Sequence, residues 1–424
     1  MLLFRVFSIP VRFFIALLIY FSWGPLAGGV VTAPVPEFSS PALIPYPSKV
    51  VRGAGEAGFR SVHVKVGPDV PGRDDLMKEI KDIFRTSGIQ GSLNSGGAAE
   101  GAMTWELFPD ARMKGEGYDL SVGLGKATVR AGSFGGFFNA LQTLRQLVFN
   151  REGEFAMPVV RISDKPAFVL RGIMLDVGRY YMSPALIKEM MRRLSRYKIN
   201  TLHLHLTDDP AWRLEVKKYP ALTDGAFHWK SRLPGRFYTQ AQLKDLTDYC
   251  ARLNIQVIPE IDMPGHSQPF SRAMKTGMQT EKGVSILKDV VDEAVSLFPG
   301  RFFHMGSDEA HISMKDFIPR MAEHIRGKGK EVVVWSPGGP HDKDSVLMCW
   351  GENEAGARMD KNMKRIDSNG FYIDWADSLS GVYQVFFQQP CEVPQGDDKA
   401  LGVIMPVWCD GNLSSEMRVL EQYP

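Results

Sequence analysis

Eight β-like runs in serial order between Phe168 and Trp408, alternating with helical patterns, constrain this chain more than any other feature of its sequence. Phe168–Asp176 reads as the first run. Pro184 after Ser183 then opens a helix whose buried stripe is Leu186, Met190, Met191 and Leu194. Asn200–Leu206, Gln256–Ile261 and Arg301–Gly306 are the next three runs, with helical spacing over Gln240–Leu253 and Ile286–Phe298 between them. Glu331–Trp335, Val346–Trp350, Ile366–Ile373 and Gly402–Trp408 complete the series, the seventh interrupted by the polar turn Asp367–Gly370. Strands that alternate with helices form parallel sheets, and eight of them close into a (β/α)8 TIM-type barrel. The later crossovers are short, so some helices are expected to be reduced or missing; the sequence ends at Pro424, where a last barrel helix would just be starting, so either that helix is absent or neighbouring elements cover strand eight another way.

In such a barrel the reactive groups sit at the C-terminal ends of the strands, so the residues that end each run carry the functional reading. Run one ends at Asp176 and carries Arg171 near its start. Run two ends in Thr207-Asp208-Asp209, and run three in Glu260-Ile261-Asp262, followed by Pro264-Gly265-His266. Run four, led by Phe302 and Phe303, passes through His304 and Gly306 to the adjacent acids Asp308 and Glu309. Trp335, Trp350, Tyr372 with Asp374, and Trp408 with Asp410 follow the remaining runs. Two neighbouring carboxyl groups that share one site do not ionise independently, and a proton donor beside an anion suits cleavage of a glycosidic bond. Aromatic faces cover the apolar side of a pyranose while carboxylates and Arg hold its hydroxyls. His203 and His205 alternate with leucines and so face one side of their strand, but no third metal ligand has a recognisable spacing. No metal and no cofactor is expected.

Charge is nearly balanced, at +2 over 424 residues, without a basic run interleaved with aromatics; nucleic acid is not an expected partner. Arg5 and Arg12 precede an apolar run from Phe13 to Trp23 and the small residues Ala27-Gly28-Gly29, the pattern of an export signal over residues 1–29. After its cleavage no stable membrane span is expected, and the protein is expected to be periplasmic or extracellular, or lysosomal in a eukaryote. A Pro-rich link over 30–43 leads to a small α+β domain at 44–164, with strands at Ser61–Val66, Tyr118–Val122 and Ala127–Ala131 and helices near Asp74–Thr86 and after Gly135-Gly136. The barrel then occupies 165–424. Cys250, Cys349, Cys391 and Cys409 are too few for a disulfide scaffold.

Taken together, Arg171-Gly172-Ile173-Met174-Leu175-Asp176, His203-Leu204-His205-Leu206-Thr207-Asp208-Asp209 with Trp212-Arg213, Pro259-Glu260-Ile261-Asp262-Met263-Pro264-Gly265-His266 and His304-Met305-Gly306-Ser307-Asp308-Glu309 resemble the β-N-acetylhexosaminidases of glycoside hydrolase family 20. Ile44-Pro45-Tyr46-Pro47 and Gln142-Thr143-Leu144-Arg145-Gln146-Leu147 resemble that family's accessory domain. The resemblance implies exo-acting, retaining hydrolysis of terminal β-linked N-acetylglucosamine or N-acetylgalactosamine, in which the substrate's own acetamido oxygen is the nucleophile and an oxazolinium forms. It implies Glu309 as the proton carrier and Asp308 as the group that orients the acetamido. Tyr372, with Asp374 nearby, would bind the acetamido oxygen. Arg171, Asp208 and Asp410 would hold outer hydroxyls, Trp335, Trp350 and Trp408 would wall the pocket, and His266 and His304 would support it.

Three positions depart from the family's pattern. Asp410 stands where a longer Glu is usual, the loop after Asp374 has Trp375 and Tyr383, and Ser307 stands where Gly is frequent. Asp410 and the end of the sequence at Pro424 make an amino-sugar-binding protein of the same fold with impaired catalysis the competing expectation.

Overall fold

The computed structural model describes residues 42–94, 99–151, 153–351, 360–373 and 387–411. The expected export signal and nearly all of the Pro-rich link, together with Asp374, Trp375 and Tyr383, lie outside them. No helix among the described residues is long and apolar enough to cross a membrane.

The N-terminal region is an eight-stranded mixed sheet backed by two helices, Arg73–Ser87 and Phe134–Leu147. The strands expected from alternation are present at Ser61–Val66, Tyr118–Gly123 and Lys126–Ala131. Two long strands, Lys49–Phe59 and Glu154–Asp164, were not legible from alternation. They pair with each other antiparallel, and most side chains of the first face solvent, so it lacks the apolar period that marks a half-buried strand. The Phe134–Leu147 helix is capped by Ser133, whose hydroxyl accepts from the Gly136 amide. A Cβ on Gly136 would stand 2.5 Å from the Gly117 carbonyl, so only glycine lets this helix sit so close to the sheet.

Eight parallel strands form a closed barrel: Leu170–Asp176, Thr201–His205, Gln256–Glu260, Phe302–His304, Glu331–Ser336, Val346–Cys349, Lys364–Asp367 and Ala400–Val407. Leu170, Met174, Ile258, Phe302, Val333, Val346, Met348, Ile366, Leu401 and Ile404 fill its interior. The Pro184–Ser195 helix covers the outside. Ser183 caps it, and it buries Leu186, Ile187, Met190 and Met191, each contributing roughly 1.5–3 kcal/mol by apolar burial. Strand seven begins and ends earlier than expected. Its polar turn terminates it, with the Asp367 carboxylate accepting from the Asn369 amide, and Tyr372 follows in the loop beyond. Strand five passes to strand six through residues 337–345 without a helix, as the short crossover implies.

The sequence places Arg171 in a sugar site, and the structure does not. Arg171 lies at the N-terminal end of its strand, the barrel face away from the strand ends that carry the acids, because it is only the second residue of Leu170–Asp176. Its guanidinium donates to the carbonyls of Lys198 and Phe168, both at 2.9 Å, and to the Glu116 carboxylate from the N-terminal domain. Asn200 and Asn254 donate to the same carboxylate at 3.1 and 2.7 Å, while the buried Lys198 ammonium reaches Asp164 at 2.9 Å and Tyr118 at 3.0 Å. Arg171 thus joins the two domains. Replacing it with Ala strands a partly buried carboxylate and is expected to cost about 3 kcal/mol of stability. Thermal melting should show that loss while KM of the folded fraction stays unchanged. A large rise in KM would return Arg171 to the substrate.

Candidate active site

At the opposite end of the barrel the acids and aromatics converge. The floor is organised around Glu260, at the end of strand three and fully buried. His205 Nδ1 lies 2.7 Å from its carboxylate and His203 Nε2 2.9 Å; Trp335 donates its indole N–H at 2.7 Å, and His304 Nδ1 stands 3.3 Å away. The carboxylate that His304 adjoins is therefore Glu260. Burial alone would raise the Glu260 pKa, but the charge and the hydrogen bond of His205 outweigh it and hold it well below the usual range. His205 is in turn held well above the ordinary histidine value: burial opposes this, and the Glu260 and Asp208 carboxylates outweigh it. Burial pushes His203 down to about 4.

From this floor, charge alternates towards the rim. His205 Nε2 is 2.9 Å from Asp208, which pairs with Arg179 at 3.0 Å; Arg179 also binds Asp176 at 2.9 Å and Asp410 at 3.2 Å. Arg179, stacked over Trp408 at 5.1 Å, occupies the place expected for Arg171. The signal for it was present. Arg179 stands three residues beyond the end of strand one, on the face where barrel sites form, whereas Arg171 precedes it by eight. Asp176, His203, His205, Glu260 and Asp262 also belong to this network and were absent from the expected site.

A second line runs from the interior to the mouth. Asp262, fully buried, lies 2.7 Å from His266 Nδ1, and His266 Nε2 is 3.4 Å from Glu309 Oε2. The hydrogen bond to Asp262, reinforced by that carboxylate's charge, raises His266 to about 10. One imidazole therefore links a buried carboxylate to Glu309, whose side chain is 60% exposed at the mouth.

Asp308 lies beside this line and is nearly buried, its Oδ1 enclosed without a hydrogen-bond partner among the described residues. Burial, followed by repulsion from Asp262 and Glu260, pushes its carboxyl up to about 8. One member of the acid pair does favour its proton, but strand three supplies the repulsion. The turn that separates the two acids is tightly wound: Gly306, Ser307 and Glu309 have φ of 68°, 84° and 47°. A Cβ on Gly306 would fall 1.9 Å from Asp262 Oδ1, so glycine there is what lets Asp262 approach. Ser307 adopts a conformation that suits glycine and costs a side chain on the order of 1 kcal/mol. That explains the family's frequent Gly.

Aromatic rings enclose the remaining sides. Trp335 is only 1% exposed and sits in the floor between His304 and Trp408, at ring separations of 4.7 and 5.7 Å. Trp350, half-buried, is fixed by its indole N–H on the Pro337 carbonyl, and Tyr372 lies 6.3 Å from Trp408. Among the described residues, three trios, His203–Glu260–His304, His205–Glu260–Asp262 and Asp208–Asp262–His266, are close enough to share a cation, and none of them combines His203 with His205. Each carboxylate in them already faces a nitrogen of His205 or His266 at 2.7–2.9 Å, so protons on these two histidines supply the counter-charge.

The description "glycosyl hydrolase family 20, catalytic domain" matches residues 168–283, and "domain 2" of the same family matches residues 40–165, together more than half of the chain. This chain belongs to glycosyl hydrolase family 20. The Porphyromonas gingivalis β-hexosaminidase is 30% identical over 389 residues, covering 74% of this chain, and the chain spans 50% of that relative's length. The Cellulomonas fimi β-N-acetylhexosaminidase is 28% identical over 363 residues, covering 74% of this chain and 73% of its own. Among solved structures, a Streptomyces plicatus β-hexosaminidase in complex with its product GlcNAc superposes with a TM-score of 0.76 at 27% identity, covering 89% of this chain and 87% of that one. The family 20 β-N-acetylhexosaminidase from Streptomyces coelicolor gives the same TM-score and coverage at 26% identity. Asp308 and Glu309 lie beyond residue 283, so the geometry of this family 20 barrel alone speaks for them.

Proposed function

We propose that the protein is an exo-acting, retaining β-N-acetylhexosaminidase that releases terminal, non-reducing GlcNAc or GalNAc from an oligosaccharide or small glycoside, with the substrate's acetamido group as nucleophile. The observation that carries this is the division between the two neighbouring acids, Glu309 exposed at the mouth beside His266 and Asp308 buried, with an oxygen that has no hydrogen-bond partner among the described residues. Protonated Glu309 gives its proton to the glycosidic oxygen as the acetamido carbonyl oxygen attacks C1, so the leaving alcohol departs and an oxazolinium remains. Water then attacks C1, returning its proton to Glu309 and restoring the acetamido group with net retention.

Asp308 Oδ1 receives the acetamido N–H. With the pocket empty its carboxyl favours the neutral form; the positive charge that develops on the oxazolinium favours the carboxylate, the proton passes to solvent water, and the anion stabilises the charge. Tyr372, whose ring stands 6.3 Å from Trp408, supports the acetamido oxygen through its hydroxyl, helped by Asp374 two residues on in the sequence. Arg179, Asp208 and Asp410 hold the outer hydroxyls, and Trp350 and Trp408 cover the ring. The shorter Asp410 reaches Arg179, which weighs against the non-catalytic alternative. The N-terminal apolar run supports an exported enzyme acting outside the cytoplasm.

The test is turnover of chitobiose and of 4-nitrophenyl β-GlcNAc and β-GalNAc beside the matching β-glucoside, with and without a thiazoline mimic of the cyclised intermediate. Acetamido sugars are expected to be cleaved and the thiazoline to inhibit competitively. Comparable turnover of the β-glucoside would overturn the acetamido mechanism.

A further inference from the structure

The chain between strand two and the helix Gln240–Arg252 makes a long excursion, and one of its arginines reaches the other side of the site. Arg232 donates from Nη1 to the carbonyls of Cys409 and Gly411, at 2.9 and 3.0 Å, and from Nη2 to that of Asp410 at 2.8 Å. One planar fork thus holds three successive carbonyls of the segment that leaves strand eight, 177–179 residues away in sequence.

The excursion is itself fixed. Arg213, fully buried, donates to the carbonyls of Arg232, Leu233 and Arg236 at 2.7–2.9 Å and to that of Val177 at 3.1 Å. The Trp229 amide donates to the Pro210 carbonyl at 2.9 Å, and Gly225 packs on Gly235, where a Cβ would come within 2.9 Å of the backbone. At the far side of the clamp, the Cys409 amide donates to Asp176 at 3.1 Å and the Asp410 carboxylate meets Arg179 at 3.2 Å. The Asp410 side chain is 54% exposed, so the backbone beneath it decides where its carboxylate stands. Aspartate is one methylene shorter than glutamate and tolerates little displacement of that backbone.

We propose that Arg232 is a positioning residue that sets the Asp410 carboxylate against Arg179 for recognition of the outer sugar hydroxyls, an inference that rests on the hexosaminidase reading above. Arg213 holds Arg232, Arg232 holds Asp410, and Asp410 with Arg179 meets the sugar. Preorganising a binding group in this way acts on substrate affinity and leaves the proton-transfer chemistry at Glu309 to proceed.

The experiment compares R232A, R232K, D410A and the double variant R232A/D410A in the full chain, by thermal melting and by kcat and KM on 4-nitrophenyl β-GlcNAc. R232A is expected to raise KM roughly tenfold to a hundredfold, the scale of a lost hydrogen bond to a charged group, with a smaller change in kcat. R232K should recover only part of this, because an ammonium cannot span three carbonyls as a fork does. In the D410A background R232A should add less than about threefold, since the two act as one unit. An unchanged KM in R232A, or the same fold loss with and without Asp410, would overturn the proposal. If R232A melts early, R232K carries the same comparison. Where the wild type shows no turnover, the hexosaminidase reading fails first, and the same ratios are read from thiazoline binding. Absence of that binding as well would remove the sugar site and the positioning role with it.

Discussion

Replacing Glu309 with Gln should lower kcat on chitobiose by roughly 10²–10⁴-fold, because the amide keeps the side chain's shape but neither gives nor takes the proton. The loss should be smaller for aryl glycosides whose leaving group departs as a stable anion, since protonation of the glycosidic oxygen then matters less in the first step. His266 stays beside the position at 3.4 Å and Asp262 stays behind it, so KM should change little. Steady-state kinetics on both substrates, with released GlcNAc quantified directly, reads the difference. A near-wild-type rate on chitobiose would remove Glu309 from the chemistry.

The second large effect is expected at Asp308. D308N leaves the hydrogen-bonding oxygen but removes the charge that stabilises the oxazolinium, and kcat should fall roughly 10²–10³-fold, as it does when a preorganised electrostatic partner is lost. It has a second readout in stability. The Asp308 carboxyl is raised from 3.8 to about 8, so between those pH values the folded protein keeps a proton that the unfolded chain has released. Stability from this group is therefore present below pH 4 and lost as pH rises towards 8, by up to about 1.4 kcal/mol per unit. In D308N that slope is absent. Melting temperatures of the two proteins should diverge between pH 5 and 8, with the wild type falling relative to the variant. A difference that stays constant with pH would mean that burial and the strand-three carboxylates do not govern Asp308.

Much of the barrel was legible because apolar runs and their polar ends repeat along the chain. Gln256–Ile261 ends in Glu260 and Asp262, and Arg301–Gly306 ends in the acid pair, so a one-dimensional pattern carried both the strands and the rim on which they open. Lys49–Phe59 was not legible, because its partner strand, Glu154–Asp164, is distant in sequence and its side chains are largely solvated. The choice between Arg171 and Arg179 turned on strand polarity, which the sequence supplied; the N-terminal domain's Glu116, which claims Arg171, it did not.

By itself the sequence determined the parallel barrel, the small domain before it and the set of acids and aromatics at the strand ends, because hydrophobic periodicity and strand order are local properties. Only the tertiary structure decided which groups share protons. Glu260 gathers three histidines from strands two and four, Asp308 takes its repulsion from strand three, and Arg232 reaches across to Asp410. These relations depend on burial and on distances between residues far apart in the chain. Electrostatic coupling falls off with distance in space, whatever the separation in sequence.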